Sequence, residues 1–314
     1  MLHADTRAIG GGTLRARLKR DLKKNKQLYL LVLPVVIFYL VFSYKPMYGI
    51  IIAFKQFNPA KGILGSDWVG FKYFIDFFQS HYFGRLIKNT LVISISSIAF
   101  GFPAPIILAL LINELRRKWF SRAVQTISYI PHFVSLVVVC GMLSDFSQIG
   151  GLISSAVEYF TGKQMNLLTV PNYFVPLYVS SGIWKEIGFS SIVYIAALTS
   201  IDQQLYEAAK IDGAGRWKQL TNVTLPGIMP MVIIMFILAM GGILNVGFEK
   251  IILLYSPVIY STSDVISSFV YRRGLLEFNF GYSTAVGLFN TVVNFLLLYI
   301  TNKISKKVNE TSLW

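Results

Sequence analysis

The chain is 314 residues long, with 54% hydrophobic residues, 14% charged residues and a formal net charge of +14. Soluble domains carry about 25% charge, so this balance excludes an ordinary soluble enzyme, a disordered tail and a secreted disulfide scaffold. The apolar residues gather into runs near the roughly 20-residue length that crosses a bilayer, and the fold class is therefore an all-α integral membrane protein.

In chain order, residues 1–26 form a basic tail interrupted by Gly10-Gly11-Gly12. Its first half is expected to be flexible. From Thr13 to Lys26 it can fold as an interfacial amphipathic helix, because Leu14, Leu18 and Leu22 repeat every fourth residue. A transmembrane domain over 27–303 follows, and 304–314 is a second short tail. The predicted spans are Gln27–Tyr44, Ile87–Ile112, Ala123–Asp145, Tyr173–Leu198, Ile228–Val246 and Tyr282–Ile300. The first is read as a retained helix, because Ser43-Tyr44-Lys45-Pro46 offers no small-x-small cleavage site. Pro34, Pro103, Pro105, Pro131 and Pro176 lie inside spans and predict kinks. Between the first two spans, Gly62 to Ser80 is rich in aromatic residues (Trp68, Phe71, Tyr73, Phe74, Phe77, Phe78), as suits a helix lying at the membrane surface.

Lysine and arginine set the orientation. Arg7, Arg15, Arg17, Lys19, Arg20, Lys23, Lys24 and Lys26 precede the first span. Arg116, Arg117, Lys118 and Arg122 follow the second, Lys210, Arg216 and Lys218 the fourth, and Lys303, Lys306 and Lys307 the sixth. The opposite loops are longer and more thinly charged. Both termini are therefore expected in the cytoplasm, and the positive excess belongs to topology and the anionic inner leaflet rather than to nucleic acid.

The lone cysteine, Cys140, follows Val137-Val138-Val139 and reads as a small buried hydrophobe. His3, His81 and His132 do not cluster as metal ligands do. There is no Gly-x-x-x-x-Gly-Lys-Ser/Thr loop, no His-Glu-x-x-His and no Gly-x-Ser-x-Gly, so the chain is not expected to be an enzyme or to hydrolyse ATP itself.

The fourth loop, within 200–226, has more structure than a connector needs. Asp202 is placed to cap a short helix, in which Leu205, Ala208 and Ala209 share a shallow face. Gly213 can take the left-handed conformation that ends it, Arg216 can start another, and Pro226 marks entry to the next span. Glu207-Ala208-Ala209, Gly213 and Val223-Thr224-Leu225-Pro226 resemble the signature loop of permease subunits of ABC importers, with Val223 where isoleucine is usual. The stretch Glu207 to Ala214 is similar to the version in carbohydrate-uptake permeases of the maltose type. Tyr44 to Gly49, Phe54 to Pro59, Ser128 to Phe133 and Ser312-Leu313-Trp314 resemble one branch of that family, which serves oligosaccharides derived from polysaccharides. Bacterial alginate importer permeases are the counterpart this resemblance points to, with alginate and pectin-like uronates among the substrates it allows.

The resemblance implies a type I ABC importer permease architecture of about six transmembrane helices in the bacterial cytoplasmic (inner) membrane. It implies a second, related permease, a dimer of ATP-binding subunits that binds ATP and Mg, and an extracytoplasmic sugar-binding protein. No cofactor is implied on this chain. Glu207, Ala208, Ala209, Asp212, Gly213, Arg216, Leu225 and Pro226 are the residues it assigns to coupling with the ATPase. Lipid contact remains an alternative for Arg216 and Lys218.

Substrate-pathway candidates are Trp184, Lys185, Tyr194 and Asn245. Trp184 can stack on a sugar ring and Lys185 can meet a uronate carboxylate. An inter-helix clamp is the equal alternative for Lys185 and the preferred reading of Glu186. Adjacent on a helix, these two point about 100° apart, so each is expected to find its partner on another helix. Asn89, Ser94, Ser128, Asn290 and Asn294 are expected to join helices by hydrogen bonds; His132, which follows Pro131, can line the pathway, though a hydrogen bond that satisfies the kink is the preferred reading, and Asp145 at a span end reads as interfacial. Arg272 and Arg273 can draw in an anionic sugar, but local salt bridges are the preferred reading for both. A self-contained secondary transporter is the competing reading, but it requires an internal repeat, and no convincing repeat relates the two halves.

Overall fold

The structure, a computed structural model, describes residues 21–309 and Ser312. The chain divides after Ile51 into two compact units. In the first, helix α1 (Lys26–Tyr39) runs into a π-helical turn, Leu40–Tyr44, and none of its side chains is buried. Most of the expected interfacial helix lies outside the described residues.

The second unit opens with a two-stranded antiparallel ladder, β1 (Lys55–Gln56) against β2 (Asp67–Trp68), and helix α2 (Lys72–Gln79). The aromatic segment is thus not one surface helix. Gly62 and Gly70 both adopt positive φ, which interrupts helical backbone on either side of β2. Phe54 stacks on Trp68, and Phe77 is buried among Phe83, Tyr282 and Phe289.

Helices α3 (Phe83–Gly101) and α4 (Pro103–Asn113) are separated by Phe102 alone, and Pro103 and Pro105 fall in the first turn of α4, where proline is tolerated. The third predicted span is broken. Helix α5 (Lys118–Phe133) stops after Pro131, Val134 is extended, and Ser135 caps α6 (Leu136–Ser147) by accepting from the Val138 N–H at 3.4 Å. Helix α7 (Leu152–Thr161) continues the segment, and α8 (Pro171–Thr199) comes next. At 1.5 Å per residue its 29 residues reach about 43 Å.

The loop helix α9 (Gln203–Ile211) leads through Arg216–Gln219 and a π turn to α10 (Leu225–Gly241). The fifth predicted span ran to Val246, but the helix ends at Gly241. Short helices α11 (Phe248–Leu254) and α12 (Ile266–Tyr271) precede α13 (Phe280–Asn309), which crosses the expected tail boundary at residue 303. Among the described residues, five segments are long and apolar enough to cross a membrane: 26–54, 83–113, 136–161, 216–241 and 280–307. Helix α8 packs against α3, α4, α5 and α10 at the centre of its unit. With these segments it gives the all-α architecture of about six spanning helices.

Candidate functional site

The fourth loop forms the structured device expected of it. The Asp202 carboxylate accepts from the Gln204 N–H at 2.9 Å, satisfying a donor at the start of α9. Gly213 takes φ +73° after the last turn, and the Ala214 N–H reaches back to the Ala209 carbonyl at 2.8 Å. Between these caps, Leu205, Glu207, Ala208 and Lys210 are exposed. Ile211 and Trp217 extend that surface with apolar groups 87% and 74% exposed. Asp212, Arg216 and Pro226 are exposed as well, whereas Ala209 and Leu225 are partly buried.

Tyr206 was not singled out by the sequence, and it fixes how the helix sits. Its hydroxyl shares a 2.9 Å hydrogen bond with Thr224 Oγ1 at the foot of α10. Its ring packs on the core of Ala109, Tyr194, Leu198, Ile201 and Ile228. Tyr194, a pathway candidate, is therefore a core residue only 2% exposed. Arg216 lies 4.0 Å from Glu114, so the loop shares an end of the bundle with the connection after α4.

A second feature lies along α8. Lys185 donates to the His132 carbonyl at 2.8 Å and pairs with Glu186 at 3.2 Å, while Glu186 meets His132 Nδ1 at 2.8 Å. Each thus finds the expected partner on another helix, His132 of α5, and the one correction is that the two also touch each other, because both side chains bend toward the end of α5. The carbonyl of His132 has no intrahelical donor because α5 stops at Phe133, and a lysine satisfies it. The His132 ring stacks on Phe189 at 3.8 Å. Gly188 allows this closeness, since a Cβ there would overlap the Ser128 backbone. In the structure Lys185 belongs to this clamp.

Two cavities meet at Ser97 and Tyr178. One, about 260 Å³, lies between α3, α4 and α8 and is lined by Ser97, Ser190, Glu186 and Lys250. The other, about 190 Å³, reaches the break after α10 and is lined by Ser94, Ser97, Asn245 and Gly247. The break exposes backbone groups that a membrane cannot satisfy, and side chains take over. Asn294 Oδ1 accepts from the Leu244 N–H at 3.0 Å, and Asn290 and Asn294 both donate to Asn245 Oδ1. The Asn245 carboxamide oxygen is thus shared by two donors, and Asn245 itself lines the cavity. Ser94 Oγ is buried there with no hydrogen-bond partner, which costs free energy unless something else supplies one. Of the pathway candidates, only Asn245 lines this cleft. Trp184 lines a separate apolar cavity with Met142, Phe146 and Ile153. Lys250 and Ser94 were missed as wall residues; Ser94 stood in the sequence only as a helix-joining hydroxyl. Among the described residues no metal-binding group occurs.

At the end of the bundle nearer α12, Asp264 is fully buried between Arg85 (3.1 Å) and Arg272 (2.9 Å) and accepts from Ser268 at 2.9 Å. Burial opposes the charge on Arg272, but Asp264 outweighs it and raises the guanidinium pKa above its ordinary value. Arg273 pairs with Glu277. The local-salt-bridge reading of both arginines therefore holds.

A bundle of spanning helices with a polar interior cleft and a capped, surface-presenting loop helix is the build of a membrane permease. Residues 101–310 match the family described as binding-protein-dependent transport system inner membrane component. The chain belongs to that family and is an inner-membrane, multi-pass permease of an ABC importer. It is 44% identical to the polygalacturonan/rhamnogalacturonan transport system permease protein YteP of Bacillus subtilis (strain 168), over 96% of this chain and 94% of that one. It is 42% identical to the protein LplB of the same organism, over 93% and 92%. Among solved structures it resembles a chain of a bacterial ABC transporter involved in import of the acidic polysaccharide alginate, with 46% identity, a TM-score of 0.86 and coverage of 93% and 99%. A bacterial alginate ABC transporter in complex with alginate pentasaccharide-bound periplasmic protein matches with 45% identity, a TM-score of 0.87 and coverage of 95% and 100%.

Proposed function

We propose that this chain is one of two transmembrane permeases of an importer for oligosaccharides that carry uronate groups. The relatives named for polygalacturonan, rhamnogalacturonan and alginate support an acidic sugar. The cleft supports a polyhydroxylated one, because Ser94, Ser97, Ser190 and Asn245 offer hydroxyls and an amide where apolar helices would otherwise meet.

The observation that carries the reading is α9, capped at both ends, tied to α10 through Tyr206 and presenting Glu207 and Ala208 outward. Such a helix transmits movement between a soluble subunit and a membrane helix. An extracytoplasmic binding protein delivers the sugar, and a dimer of ATP-binding subunits, holding ATP and Mg, closes against α9 and its counterpart on a second, related permease. The two permeases then exchange inward- and outward-facing packings with different affinity for sugar. ATP hydrolysis takes place on the partner, no cofactor resides on this chain, and both termini are cytoplasmic, as the basic loops direct.

The test is mild detergent extraction of the tagged chain with mass spectrometry of what accompanies it. A P-loop ATPase and a second six-span protein are expected. Recovery of this chain alone, still moving solute, would make it a self-contained secondary transporter.

A further inference from the structure

Lys250 is the cation whose position has no structural account in the clamp or the loop. It sits on α11, 8% exposed, in the wall of the larger cavity. Its ammonium donates to the Tyr178 carbonyl at 2.7 Å and lies 4.4 Å from the centre of the Tyr178 ring. An ammonium has three protons to donate, and the Tyr178 carbonyl takes one of them. Among the described residues no carboxylate lies within ion-pair distance of Lys250. Buried charges are ordinarily paired, because removing an ion from water costs several kcal/mol. Ionisable groups inside a membrane protein face the bundle interior or a water-filled cavity and pair with one another or with backbone carbonyls, and Lys250 has a carbonyl and a cavity but no carboxylate.

The ammonium is seated against Gly182, where a Cβ would stand 3.3 Å from Nζ, and it borders the cavity of about 260 Å³. Glu186, the carboxylate of the same cavity, is already engaged by Lys185 and His132. The acid is therefore neutralised within the clamp while the Lys250 cation remains open. Ser94 Oγ, 6% exposed and without a partner, supplies a second unfilled polar group in the adjoining cavity.

We infer that Lys250, rather than Lys185, receives a carboxylate of the passing sugar, making it the residue that favours uronates over neutral oligosaccharides. This rests on the acidic-oligosaccharide reading above. Glu186 keeps Lys185 occupied, so the cleft presents one open cation.

The complete transporter in proteoliposomes, with its binding protein saturated, separates the possibilities. The probes are a uronate trisaccharide and the same trisaccharide with its carboxyls reduced to alcohols. Lys250→Met is expected to slow uronate uptake about tenfold relative to uptake of the reduced sugar, the size of one lost charge-assisted hydrogen bond. Lys250→Arg is expected to keep the preference for uronate. Equal losses for both sugars in Lys250→Met would make the residue a prop for Tyr178 and overturn the assignment, as would undiminished uronate uptake. If the parent transporter carries the reduced sugar but not the uronate, the acidic-sugar reading itself falls.

Discussion

Asp264 is the carboxylate on which the most positive charge converges, with Arg85 and Arg272 both reaching one oxygen. Asp264→Asn keeps the shape and removes the charge, leaving two partly buried guanidiniums without a counter-ion. The expected cost is about 3–5 kcal/mol, seen as a lower melting temperature of the solubilised complex. Gly188→Ala is expected to force α5 from α8, because the new methyl would overlap the Ser128 backbone. A cost of about 1–3 kcal/mol is typical of such overpacking, measured by the same melt. At this scale the sequence was informative where charge alone decides: Arg272 and Arg273 were readable as salt-bridged. The inter-helix clamp of Lys185 and Glu186 was readable, and only their direct contact was missed, because a helical wheel fixes where Cβ points, not where a long side chain ends. Lys250 looked like an ordinary loop lysine because nothing local says that the chain doubles back beneath α8.

The loop helix α9 was the most legible element, since each of its boundaries is written in residue chemistry. Asp202 caps it, Gly213 releases it and Pro226 opens the next helix. Gly213→Val places a branched side chain at φ +73°, with a cost of about 1–2 kcal/mol. Its expected effect is partial uncoupling: the ATPase still co-purifies, but sugar uptake per ATP hydrolysed falls. Tyr206→Phe removes only the bond to Thr224 and is expected to produce a milder form of the same defect. The helix breaks at Val134 and Gly241 were harder to read. Apolar residues continue on both sides of each break, so hydropathy carries no trace of it. The usable signals were Ser135, a capping residue directly before Leu136, and Gly241-Gly242 with Asn245 just beyond.

At the scale of the molecule, α8 exchanges apolar surface for interior position. It is not among the segments apolar enough to cross a membrane by composition, yet four neighbouring helices cover it, and hydrophobic faces need only meet lipid where nothing else does. That is why a pattern of apolar runs gave the number of spans while misplacing their ends. The expected topology can be checked with reporter fusions. Alkaline phosphatase joined after Lys163 should be active, being carried outside, and the same enzyme joined after Gly213 or at the end of the chain should be inactive. Activity after Gly213 would invert the assignment of α9 to the ATPase side.

Cys140 closes the account of the interior. It is 3% exposed, shares a core cluster with Tyr178, Val246 and Ile251, and lies where α6, α8 and α11 come together. Because the natural sequence has one cysteine, a thiol reagent has a single address in this chain, and no residue need be replaced to make it so. The address is shut while the three helices are in contact. A transport step that parts α11 from α6 would unseal it, and the rate of maleimide labelling during turnover then becomes a clock for that separation, read from the unaltered protein.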